Sequence, residues 1–423
     1  MKGTFRSLRN ANYRTYAAGA LLSNVGTWMQ RIGQDWLVLQ LSDNSGAAIG
    51  ITTAFQFLPV LLLSPLAGLL ADQYSKRRLM QVTQVMMAVP SLLLGFLAVT
   101  GVAEIWHVYV IAFVFGVGSA LDAPARQSFV PELVDREDLT NAVGLNAISF
   151  NSARVIGPAI AGGLIAALGS DAESAGWVML FNALSYFAVI YALQRVDPRK
   201  LNSPRPSTRR RGMILDAARY VRRRGDLLFV FLVAFFTGAF GINFQLISAL
   251  VATEKFDRGA GSFGLLGSTL AIGTFAAALS TARRSDVTIR RLAWASMALG
   301  LSFVVASVLP TYYLFAAWTP VIGYCLMTAV TTAHAAVQLR TDPGYRGRVT
   351  ALYIMISMGG VPLGAPVLGA VGEAFGVGWT LAAGGAVIIT SAAGGYVLWG
   401  RGQARAAVAT TADPVEPQPD VIG

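Results

Sequence analysis

Long apolar runs alternate with short hydrophilic loops along this chain, and the positive charge is concentrated in every second loop. Water cannot satisfy backbone groups inside lipid, so apolar runs of this kind must be helices or strands of a closed barrel. Most exceed ~18 residues, the length of a spanning helix rather than a tilted strand. Only 13% of the 423 residues are charged and 54% are hydrophobic, whereas about 25% charge is usual for a soluble domain. The expectation is an all-α integral membrane protein.

Twelve spans are expected, at roughly 13–41, 47–72, 79–100, 105–124, 139–168, 175–194, 226–252, 261–282, 291–309, 312–338, 348–374 and 377–400. Of the 33 Lys and Arg, about 29 fall beside one set of ends, 2 beside the other and 2 inside spans. The positive-inside rule then places both termini in the cytoplasm. It also accounts for the pI near 10.0 without a nucleic-acid partner, since no single basic patch is formed. Four segments are expected: an N-terminal bundle over 1–195, a cytoplasmic basic linker over 196–225, a C-terminal bundle over 226–400 and a disordered tail over 401–423. Within the linker, Met213, Ala217, Tyr220 and Val221 share one face, as in an amphipathic helix on the cytoplasmic surface.

The lone cysteine, Cys325, excludes a disulfide framework, and neither His107 nor His334 has a second ligand at metal spacing. No phosphate-binding Gly-Lys-Ser/Thr loop and no nucleophile–base pair is evident, so neither a cofactor nor an enzyme activity is expected.

Charged groups inside spans cost several kcal/mol and are usually paired or functional. Arg31 and Asp35 lie four apart on one face of span 1, and Arg154 lies in span 5. These three are the candidates for proton coupling, with Arg31 and Asp35 able to form a compensated pair. Gln34, Gln56, Asn151, Asn243, Gln245 and Phe244 are candidates to line a cavity.

Gly68, Asp72, Lys76 and Arg77 close span 2 in the pattern Gly-x-x-x-Asp followed by basic residues. In this the chain resembles the major facilitator superfamily. Gln73 and Ser75 depart from that family's usual Arg and Gly. The resemblance implies twelve transmembrane helices in two parallel-repeat six-helix bundles, with Asp72 in a cytoplasmic gate. Gly157-Pro158-x-x-x-Gly162-Gly163 looks like the span 5 signature of the antiporter branch. The stretch Trp28–Leu39 and the run from Asp122 to Leu133 are similar to the enterobactin-exporter-like, or transmembrane secretion effector, subgroup. That likeness implies a monomeric proton-coupled exporter of small amphipathic molecules, drugs or siderophore-like metabolites, in the bacterial inner membrane. A proton-linked nutrient importer of the same fold and a non-transporting membrane sensor are the alternatives.

Overall fold

A computed structural model describes residues 5–202, 213–282 and 287–412. The regular structure in them is helical. The first group comprises α1 (Ala11–Leu41), α2 (Gly46–Gln73), α3 (Lys76–Val99), α4 (Ile105–Phe129), α5 (Leu139–Leu168) and α6 (Ala172–Arg195). A short helix, α7 (Met213–Arg222), leads to the second group. That group comprises α8 (Gly225–Phe236), α9 (Phe244–Leu250), α10 (Ala260–Ala282), α11 (Ile289–Ser307), α12 (Tyr312–Arg340), α13 (Arg346–Phe375) and α14 (Val377–Ala412).

The helix ends follow from local chemistry. Asn10, Ser45, Asp171 and Thr288 accept backbone N–H groups at the starts of α1, α2, α6 and α11, where four donors would otherwise lack partners. Gly169 and Gly376 end α5 and α13 with φ of 122° and 88°, values that a side chain disfavours.

Among the described residues, eleven helical segments are long and apolar enough to cross a membrane. Helix α1 is not one of them, although it is 31 residues long. Its polar residues lower its hydropathy, but Asn12, Ser23, Asn24, Gln30, Gln34 and Asp35 are all buried inside the protein. The helix is thus covered by its neighbours, and its composition records an interior rather than a lipid contact.

The segment expected as one span at 226–252 is interrupted. Helices α8 and α9 are joined through a π-helical turn at Thr237–Gly241, and a second π turn covers Val251–Lys255. Helix α13 presses on the first turn: a Cβ on Gly364 would lie 2.0 Å from the Ala239 carbonyl oxygen. The Asn243 side chain donates to that same carbonyl at 2.6 Å, recapturing an acceptor that the widened turn would strand.

Packing differs between the two ends of the molecule. Away from the basic loops, one continuous apolar cluster includes Leu37, Ile49 and Ile165 of the first group with Phe263 and Leu368 of the second. Toward the basic loops the core is divided. Tyr13, Met80, Phe129 and Leu193 belong to a cluster of the first group. Leu227, Leu292, Val337 and Tyr353 belong to a separate cluster of the second. Among the described residues the two groups therefore share one apolar cluster at the far end and form separate clusters at the basic end.

The contact between the groups uses α2 against α13 and α5 against α10. Glycine makes it possible. A Cβ on Gly369 would sit 2.1 Å from the Gly46 oxygen, and one on Gly264 would sit 2.3 Å from the Pro158 oxygen. Such backbone proximity is open only to residues without side chains.

Two expectations about segments need correction. The apolar face of α7 is not laid on lipid: Ala217 and Val221 are buried in the second group's basic-end cluster. Tyr220 stacks on Tyr345 with ring centroids 4.5 Å apart, and its hydroxyl accepts from Arg224 at 3.2 Å. Burying that face in protein satisfies it as well as a membrane surface could. Helix α14 also continues to Ala412, past the expected break at 400, through a stretch rich in the strongest helix former, alanine. The rest of the expected tail, and linker positions 203–212, lie outside the described residues.

Candidate functional site

Helix α1 carries the polar centre. Asp35 is 8% exposed, and its Oδ2 accepts a hydrogen bond from Gln245 Nε2 of α9 at 2.9 Å. That bond joins the two helix groups. The expected Arg31–Asp35 ion pair is not formed among the described residues. Gln245 occupies the carboxylate, while the Arg31 guanidinium lies 4.8 Å above the Trp28 ring and 5.4 Å from that of Phe57 on α2. The Arg154 guanidinium, arriving from α5, lies 5.4 Å from the same Trp28 ring. Two cations thus share one indole, whose electron-rich face attracts them.

Gly157 seats this arrangement: a Cβ there would lie 2.6 Å from the Trp28 Cβ. Its motif partners separate by role. Pro158 is buried in α5 opposite α10, and a Cβ on Gly162 would meet the Ala260 oxygen at 2.6 Å. Gly163 has open space around it and takes no part in the packing. Gln34 is 1% exposed, and both its amide atoms lack partners.

Of the expected cavity residues, Gln245 joins the centre through Asp35. Gln56 and Asn151 are half-buried on α2 and α5, and Asn151 donates to the Ala147 carbonyl within its own helix at 2.8 Å. Two of these candidates make their contacts elsewhere in this structure. Phe244 is fully buried, stacked 6.3 Å from Phe315 and tilted 5.7 Å from Phe303, inside the apolar cluster that the two groups share. Asn243 spends its amide on the Ala239 and Val361 carbonyls, at 2.6 and 3.1 Å. The π turn displaces this stretch from the helical register that the sequence suggests.

At the basic end, Lys76 Nζ lies 2.5 Å from Glu132 Oε1, a carboxylate that is itself buried. Arg77 donates to the Leu193 and Gln194 carbonyls at 2.6 and 3.1 Å. Both bind at the last turn of α6 or the short turn after α4, within the first group. Gly68 and Asp72 are half-buried on the last turns of α2.

Two buried networks lie outside the candidate site residues read from the sequence. Asp122 accepts from Thr83 at 2.7 Å, Gln84 at 2.9 Å and Arg126 at 2.8 Å, and Arg126 reaches Asn24 at 3.2 Å. The i,i+4 spacing of Asp122 and Arg126 was the available signal. Gln30 accepts from Ser91 at 2.7 Å and from Asn182 at 3.1 Å. Three helices meet there, which no local pattern encodes.

A profile of the transmembrane secretion effector family matches residues 2–418. The chain belongs to that family. Among its relatives, the staphyloferrin A transporter of Staphylococcus aureus (strain NCTC 8325 / PS 47) is 26% identical over 86% of this chain and 90% of its own. The multidrug efflux pump Tap of Mycolicibacterium fortuitum is 25% identical over 85% and 88%. The fold is shared with the crystal structure of the nucleoside transporter NupG, at TM-score 0.66 and 17% identity over 93% of this chain and 98% of that one. A bacterial homologue of the iron transporter ferroportin, in an inward-facing state, gives TM-score 0.70 at 14% identity over 92% and 98%. This member of the secretion effector family is therefore a multi-pass membrane transporter of the major facilitator type, and not an enzyme.

Proposed function

We propose that this secretion effector is a proton-coupled exporter of small amphipathic molecules, working as a monomer in the bacterial inner membrane. Its two helix groups are parallel six-helix repeats, with α1 the twelfth crossing and α8 and α9 forming a single crossing. The positive-inside rule sets the basic end in the cytoplasm, with both termini. The divided core at that end, against the sealed core opposite, then corresponds to an inward-open state. Rocking the groups about the α2–α13 and α5–α10 seams exposes the faces between them to each side in turn.

The observation that carries the proton role is the Asp35–Gln245 bond. A buried carboxylate placed on the seam between moving bodies changes its partner when they move. As a carboxylate it accepts the Gln245 amide and holds the outer end shut, in a charge-assisted bond stronger than a neutral one. Protonation removes that charge and weakens the hold. The protonation state of Asp35 is thereby coupled to the opening and closing of the outer end. Lys76 and Arg77, anchored within the first group, lie beside Asp72 at the cytoplasmic mouth, where the gate closes in the other state.

Everted vesicles with an imposed pH gradient test this reading. Asp35→Asn should abolish gradient-driven cargo accumulation while leaving cargo exchange across the membrane intact. Accumulation at the wild-type level would remove Asp35 from the mechanism.

A further inference from the structure

We infer that the cargo is an anion, bound through a carboxylate or similar oxyanion between Arg31 and Arg154 on the face of Trp28. This rests on the exporter reading and narrows its substrate class. Both guanidiniums lie against one indole, at 4.8 and 5.4 Å, in helices α1 and α5 where these border the second group. Like charges brought together repel, and the repulsion is poorly screened away from water. A single intramembrane Arg is costly, and two beside each other are costlier than one nearby acid offsets.

The nearby acid is Asp35, one turn along α1, and its Oδ2 is bonded to Gln245. No ion pair to Arg31 or Arg154 forms among the described residues. The Arg31 Nε is buried without a hydrogen-bond partner. Gln34, a turn further along the same helix, is buried with both amide atoms unpartnered. Donors without acceptors, around two guanidiniums that outnumber the one carboxylate near them, and an aromatic floor, match a ligand with a negative head and an apolar or aromatic body. Arginine's planar fork fits the two oxygens of a carboxylate. Trp28 holds both forks in place, and Gly157 leaves the room for Trp28 to do so.

Arginines at such a place could equally hold an anionic lipid headgroup, which offers the same oxyanion. The experiment therefore uses full-length protein in nanodiscs of phosphatidylcholine, with and without added phosphatidylglycerol. Three fluorescent probes share one body: dansylglycine, its neutral amide, and the ammonium analogue dansyl-ethylenediamine. Wild-type protein should bind the carboxylate about tenfold more tightly than the amide, and the ammonium weakest, as one charge-assisted contact implies. Arg154→Gln and Arg31→Gln should each remove most of that preference while changing amide binding less than about twofold. Arg154→Lys should keep part of it, which separates charge from misfolding.

Equal binding of carboxylate and amide, failure of all three to bind, or equal weakening of all three by the substitutions overturns the inference. So does loss of the preference when phosphatidylglycerol is present, which would assign the arginines to lipid. Proton-driven uptake of the amide or ammonium probe into everted vesicles would leave the exporter reading standing in each of those cases.

Discussion

At the scale of single residues, the consequential choices are a few polar side chains that the fold hides. Gln245 matters because it donates to a carboxylate across the seam, at 2.9 Å. Gln245→Leu leaves Asp35 buried without that donor, at a cost of about 1–3 kcal/mol to the sealed outer end. A cysteine introduced in place of Ile49, which is fully buried in the seal, should then react faster with an external maleimide by about tenfold or more. An unchanged rate would show that the bond does not hold the seal. Asp122 is a different case. It is 5% exposed and accepts from three side chains of α3 and α4. Asp122→Ala strands Arg126 in a buried site and should lower stability by about 3 kcal/mol, seen as a reduced melting temperature in detergent. A melt within about a degree of wild type would contradict the assignment. Asp35 and Arg31 were recognisable in the sequence because charges within an apolar run stand out. Their partners were not, because Gln245 is 210 positions away from Asp35 and an intrahelical Arg–Asp pair is the simpler local guess.

At the scale of helices, the seams depend on glycine placed where two backbones touch. A side chain at Gly369 would overlap the Gly46 carbonyl. Gly369→Val should therefore prevent α2 from closing on α13, abolish transport, and raise maleimide labelling of the cysteine in an Ile49→Cys background. Gly163→Ala, in open space, should leave transport within about twofold of wild type, since its surroundings present nothing to displace. The reverse order of severity would refute the packing assignment. The spans were legible to within a few residues, because the hydrocarbon thickness dictates their length. The π turns in the α8–α9 segment were not, since they follow from α13 pressing on Ala239 rather than from propensity. That tertiary insertion is why Phe244 and Asn243 face the core and the helix ladder instead of a cavity. The docking of α7 was missed for a related reason: an amphipathic face reports that something covers it, not what.

At the scale of the whole molecule, charge asymmetry, long apolar helices and an unequal core belong to one membrane transporter. The helical membrane architecture was readable because it is set by averages over many residues. The divided and the continuous ends were not readable, because which side chains meet between the groups is set by tertiary packing and not by local pattern. Ile49 and Phe263 share a cluster at one end, while Met80 and Leu292 lie in separate clusters at the other. Alternation of these two ends is the central claim, and spin-label distances in nanodiscs address it directly. With Cys325 replaced by serine, one label pair at Gly144 and Gly347 would span the basic end, and another at Val102 and Val308 the far end, all four sites being exposed. Varying pH and cargo should shift the two pairs in opposite senses, one lengthening as the other shortens. Both pairs shifting together, or neither shifting under any condition, would contradict the account.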